Sequence, residues 1–279
     1  MPLNDSKEAL HESGLYGKLP SQGDFVVRRL PQSFVGPWDD WLQAGMSECR
    51  TTLAGTWEQQ YQAAPVWRFV LAASICGPAA WAGVIQPSVD RVGRYFPLMA
   101  AAQLPAKVDV FATLLHCVPW HDAIEKALET AFEPATAIEA LDRDVERIAF
   151  PPSFASSAAA SNEDTLPFAA REYEALSVTL GPDDNQQTLR AALISRFAGV
   201  DAAGSAWLTQ GTATVGPALL LARGLPTARQ FCGMLTGNWV ESGWEIVPRH
   251  APGAQTDGVP KLPVSERIDE VAMQQRGAD

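Results

Sequence analysis

Three apolar runs, Val66–Ala72, Trp81–Ile85 and Tyr95–Ala102, follow one another with only short links between them. Each is rich in aromatic or β-branched residues, as strands are. A parallel crossover needs a dozen or more residues, so strands joined this closely pair antiparallel. The stretch Pro87–Pro97, P-S-V-D-R-V-G-R-Y-F-P, spans the second link and concentrates charge there: Asp90, Arg91 and Arg94, with Gly93 among them. Gly93 marks a positive φ or a close backbone approach. Polar, glycine-bearing loops between apolar strands either carry function or shape a turn. Two arginines three apart also have the donor geometry to grip a phosphate or carboxylate.

Helical periodicity flanks these runs. Trp38, Trp41, Leu42, Gly45, Met46, Cys49 and Leu53 form one stripe, which places a helix from Gly36-Pro37 onward and makes the tryptophans core. Trp57 and Tyr61 predict a short second helix ending before Pro65. Asp109 is an expected N-cap for a helix carrying Phe111, Leu114 and Leu115, and Pro119 interrupts the helical pattern beyond them. Thr136 and Glu139 have capping-box spacing. Leu15–Leu19 reads as a short edge strand, followed by the turn P-S-Q-G-D-F, which brings in Gly23, Asp24 and Phe25 as a second candidate loop. Ser205–Thr209 and Ala218–Arg223 read as strands, and Pro226–Leu235 as a helix stopped near Gly237. Residues 1–13 read as a flexible lead-in, 151–165 (Pro/Ser/Ala-rich) as a mobile insertion and 249–279 as a disordered tail, leaving 14–248 as a single α/β domain.

Function classes narrow by exclusion. The net charge of −11 opposes non-specific binding to nucleic acid or anionic membrane. No apolar stretch approaches the about 18 residues of a span, and the polar N-terminus has no signal-peptide core, so a soluble intracellular protein is expected. The four cysteines, Cys49, Cys76, Cys117 and Cys232, are scattered without a C-x-x-C and read as buried free thiols. His116, Cys117, His121 and Asp122 lack metal-site spacing, and no phosphate-binding, dinucleotide or nucleophile-elbow motif occurs. No metal or cofactor is expected. Asp24, Asp90 and Glu241 are the carboxylates that one cleft would have to gather for acid–base chemistry.

Y-G-K-L-P-S-Q-G-D-F from Tyr16, W-R-F from Trp67, G-P-A-A-W-A-G-V from Gly77 and P-S-V-D-R-V-G-R-Y-F-P-L from Pro87 resemble the TagF proteins of bacterial type VI secretion systems. G-L-P…F…M-L-T-G-N-W, Gly224 to Trp239, is similar to that family's later segment. Where members of that family often carry a tandem tryptophan, this chain has Ser205-Ala206-Trp207-Leu208. The resemblance implies a layered α/β/α sandwich with a central mixed, largely antiparallel sheet. It also implies a cytoplasmic, non-enzymatic, post-translational repressor that engages a forkhead-associated scaffold protein. A small-anion or nucleotide-binding protein or enzyme using Asp90, Arg91 and Arg94, and a structural subunit of the apparatus, are the competing classes.

Overall fold

The structure is a computed structural model and describes residues 12–133, 136–151, 175–179 and 204–246. The expectations for the lead-in up to 11, for 152–165 and for the tail lie outside these residues. In chain order the elements are β1 (Ser13–Gly17), β2 (Val26–Arg28), α1 (Gln32–Leu53), α2 (Trp57–Gln62), β3 (Trp67–Leu71), β4 (Ala80–Gln86), β5 (Leu98–Leu104), α3 (Val110–His116), α4 (Val118–Glu129), α5 (Ile138–Arg147), β6 (Ala175–Thr179), β7 (Ser205–Thr209), β8 (Ala218–Ala222), α6 (Ala228–Thr236) and β9 (Glu245–Ile246).

The strands form one sheet in the order β2-β1-β5-β4-β3-β7-β8-β6-β9. Every pairing is antiparallel except β6 with β9. Helices cover both faces, so the central strands are buried on both sides and read as continuous apolar runs rather than alternating ones. Alternation reappears as a choice of face. Phe69 and Leu71 of β3 point toward α1, α2 and α6, whereas Val70 points toward α3, α4 and α5. The α1 side is an aromatic layer in which Trp38 lies 4.8 Å from Phe69, 4.8 Å from Trp41 and 6.1 Å from Trp207. The opposite layer is aliphatic, with Leu114, Ile124, Leu128, Leu141 and Val145 against Val84, Ala100 and Ala102. This is the α/β/α sandwich expected from the sequence.

Several boundaries differ from the sequence reading. Helix α1 begins at Gln32 and keeps Pro37 inside it. The ring costs a hydrogen bond, but the extra turn buries Phe34 within 4.3 Å of Trp81. Strand β5 starts at Leu98, and Tyr95 instead forms a lone antiparallel bridge to Val89. Strand β1 is second from the edge, because β2 pairs outside it. The N-cap of α5 is Ala137, with no side-chain cap, so Thr136 and Glu139 make no capping box. Among the described helices a capping box is present at α6, between Thr227 and Gln230, and Asp109 caps α3 as expected, accepting from the Ala112 N–H at 2.8 Å. Leu208, beside Trp207 in the segment where the resemblance expects a tandem tryptophan, is buried in the aliphatic layer.

The cysteine expectation is half corrected. Cys49 of α1 and Cys232 of α6 form a disulfide, with Cα atoms 5.3 Å apart. They are 183 residues apart in sequence, which no local pattern can pair. Cys76 and Cys117 are buried free thiols, and burial pushes the pKa of both up to about 12.

Candidate functional site

The Pro87–Pro97 stretch folds back on itself through the Val89–Tyr95 bridge. Inside that bridge the Asp90 N–H donates to the Arg94 carbonyl at 3.0 Å, and the Gly93 N–H donates to the Asp90 carbonyl at 3.0 Å. Gly93 has φ +86° with open space where a Cβ would stand, so glycine is required by backbone conformation rather than by crowding.

The Asp90 carboxylate is completely buried and fully used. One oxygen accepts from the Val92 and Arg94 N–H groups at 3.0 and 2.9 Å. The other accepts from Lys18 Nζ at 3.0 Å and Arg94 Nε at 2.6 Å. Burial alone would raise its pKa. The bonds from the Arg94 N–H, Lys18, the Arg94 side chain and the Val92 N–H outweigh that and hold it well below the usual carboxylate range. Asp90 is therefore an internal post for the loop, charged and unavailable for proton transfer at neutral pH.

Lys18 is a member of this network that sequence reasoning misses, because Gly17-Lys18 signals nothing beyond an incomplete phosphate-binding motif. It is nearly buried and lies 72 residues from Asp90. What brings it there is Gly17. That residue has φ +133°, and a Cβ on it would come within 2.1 Å of the Pro97 carbonyl, so β1 and the end of the loop touch backbone to backbone. Ser88 Oγ donates to the Lys18 carbonyl at 2.7 Å, and the Tyr61 hydroxyl donates to the Ser88 carbonyl at 3.2 Å, tying the base of the loop to α2. The Lys18 ammonium also stands 5.0 Å from the centre of the Phe25 ring.

The second candidate loop is laced to the first. The Arg91 N–H donates to the Gln22 carbonyl at 2.9 Å, and Arg94 Nη2 donates to the Gly23 carbonyl at 2.5 Å. Phe25 packs edge-on to Phe96 at 4.8 Å and stacks on Tyr16 at 5.9 Å, yet remains 47% exposed. Asp90, Gly93, Arg94, Gly23 and Phe25 thus share one place. Arg91 reaches it through its backbone and lies over Gly23, but its guanidinium is not a partner of Asp90. Asp24 is exposed beside the network, and Glu241 lies on the turn after α6; neither is among the partners of Asp90.

The outward face of this assembly is the tip Arg91–Arg94. All of it is exposed, with Val92 at 66% and the Arg94 side chain at 59%. A rigid base carrying two cations and an apolar side chain suits recognition of another surface. Two of the Arg94 donors are already committed, to Asp90 and to the Gly23 carbonyl.

The histidine reading separates. His116 is exposed, with Nδ1 2.7 Å from the Ala112 carbonyl, while His121 is completely buried. Among the described residues no group of three or more His, Cys, Asp or Glu side chains has metal-binding geometry. Burial, with help from the charge of Arg68, pushes the His121 pKa down from 6.5 to about 3. Arg68 itself pairs across the layer with Asp122 and Glu125 of α4 at 2.7 and 2.6 Å. The unfolded chain protonates His121 near pH 6.5, but the folded chain resists until about 3. Stability from this group is therefore complete above pH 6.5 and declines as pH falls toward 3, by at most about 1.4 kcal/mol per pH unit. Denaturant unfolding between pH 7.5 and 4 should show this decline, and His121→Leu should flatten it. An identical pH slope in the variant would assign the decline to other groups.

A family model described as the TagF N-terminal domain, type VI secretion system-associated, matches residues 14–148. A crystal structure of PA0076 from Pseudomonas aeruginosa PAO1, at 2.05 Å, is similar along its whole length: 33% identity over 89% of this chain and 100% of that one, with a TM-score of 0.67. The chain belongs to the TagF family. No curated protein matches it. Membership ties the chain to type VI secretion in an accessory role. The matched TagF segment contains Lys18, the Gly23–Phe25 turn and the whole Asp90 loop. No helix among the described residues is long and apolar enough to cross a membrane.

Proposed function

We propose that this TagF protein is a non-enzymatic, cytoplasmic regulator of a type VI secretion system. It represses secretion post-translationally by binding a forkhead-associated scaffold protein, and the Arg91–Arg94 tip is part of the contact surface. The observation that carries the surface assignment is the contrast within one loop. Asp90 is buried and fully bonded, whereas Arg91, Val92 and Arg94 face solvent. A tip ordered before binding loses little conformational entropy when a partner docks, so its contacts are expressed as affinity. Its positive charge on a chain of net charge −11 favours a partner surface that is locally acidic.

Titrating purified scaffold protein into the purified chain tests this. Wild type binds, and Arg91→Glu weakens binding at least about tenfold, as expected for an arginine anchor. Wild-type binding that Arg91→Glu leaves unchanged would remove the tip from the interface. Failure of wild type to bind would remove the scaffold as partner.

A further inference from the structure

The α1–α6 interface holds a chemical feature separate from the loop. Cys49 is completely buried and Cys232 is 4% exposed. Their neighbourhood is packed without help from the bond. The Phe231 ring lies against Gly45, so closely that a Cβ there would come within 2.6 Å, and it meets Trp41 edge-on at 5.2 Å. Trp41 Nε1 donates to the Pro226 carbonyl at 2.7 Å. These contacts join α1 to the α6 segment beside the bond. A chain kept in a reducing compartment would normally carry them as thiols, and intracellular disulfides are usually transient or redox-sensing.

We propose that Cys49 and Cys232 form a reversible redox staple, closed by hydrogen peroxide and opened by a dithiol reductant, which sets how readily the α1–α6 layer opens. Burial selects a small oxidant, since a bulky disulfide such as oxidised glutathione cannot reach either sulfur without lifting α6. The thiolate of Cys232, the cysteine with residual exposure, attacks one peroxide oxygen. The O–O bond breaks, a sulfenic acid forms, and the leaving hydroxide takes up a proton to become water. The Cys49 sulfur then attacks the sulfenic sulfur. The S–O bond breaks, and a second water leaves with the thiol proton. Two thiols are oxidised to one disulfide, and one peroxide is reduced to two waters. Reopening proceeds by thiol–disulfide exchange when α6 lifts far enough to expose a sulfur, with the reductant's two thiols becoming its own disulfide. The bond spans a separation of 183 residues, so it removes much of the freedom of the unfolded chain.

The test uses the full chain, reduced and then exposed to hydrogen peroxide, with thiols counted after denaturation. The count should fall from four to two, a Cys49–Cys232 linked peptide should appear by non-reducing mass spectrometry, and melting should rise by roughly 10 °C. Dithiothreitol should reverse the rise. Cys76 and Cys117 serve as internal controls, because neither is paired with a second cysteine. Cys232→Ala should show no peroxide-dependent rise in melting. The reduced wild type supplies the same comparison without any substitution. Four surviving thiols, or a linkage between other cysteines, would overturn the proposal. So would a Cys49–Cys232 bond that leaves melting and resistance to proteolysis unchanged.

Discussion

Trp38→Ala is expected to destabilise the protein by about 3–5 kcal/mol, the usual cost of truncating a fully buried large aromatic side chain. Trp38 touches both the helix and the sheet. It stacks on Phe34 at 5.5 Å within α1 and packs on Phe69 of β3 and Trp207 of β7. Its neighbours are themselves rigid rings, so they cannot collapse into the space it leaves, and the cavity remains as part of the cost. At roughly 2–4 °C per kcal/mol for a domain of this size, melting should fall by about 10–15 °C. A fall of less than about 3 °C would mean that α1 is not anchored through this residue.

The Asp90 loop gives the second large effect, and here two substitutions are expected to separate sharply. Asp90→Ala leaves the nearly buried Lys18 without its carboxylate and strips the Val92 and Arg94 N–H groups of their acceptor. Removing one partner of a buried, hydrogen-bonded pair is strongly destabilising. Melting should fall by about 10 °C. Arg94→Ala removes a side chain that is 59% exposed and leaves Asp90 its bonds from Lys18 and two backbone N–H groups, so its melting should fall much less than that of Asp90→Ala. Equal effects from the two would contradict the division of this loop into a buried post and a solvent-facing tip. Differential scanning fluorimetry on the three proteins is sufficient.

That division also marks how far the sequence can be read. The β3-β4-β5 meander is legible because its signals are local: apolar runs too close together for a parallel crossover. The α1 stripe is legible for the same reason, with Trp38, Trp41 and Leu42 on one face. The charge cluster of Asp90, Arg91 and Arg94 is legible because its members are close in sequence, but which arginine holds Asp90 is not. Lys18 is not, since its partnership depends on β1 lying beside β5 and on Gly17 meeting the Pro97 carbonyl. The Cys49–Cys232 bond and the pairing of Arg68 with Asp122 and Glu125 are hidden in the same way, because each joins elements distant in the chain. The start of α1 is obscured for a different reason. Pro37 is a helix-start signal, but the apolar face of Phe34 and Val35 extends the helix back past it. Burial outweighs local propensity there.

The claim that the Arg91–Arg94 tip is a recognition surface is tested most directly in cells. Arg91→Glu would be introduced into the native gene, and secretion through the type VI system measured beside the amount and melting of the variant protein. Wild-type abundance and melting, with repression lost, is the predicted result. Full repression by a stably folded Arg91→Glu protein would contradict it.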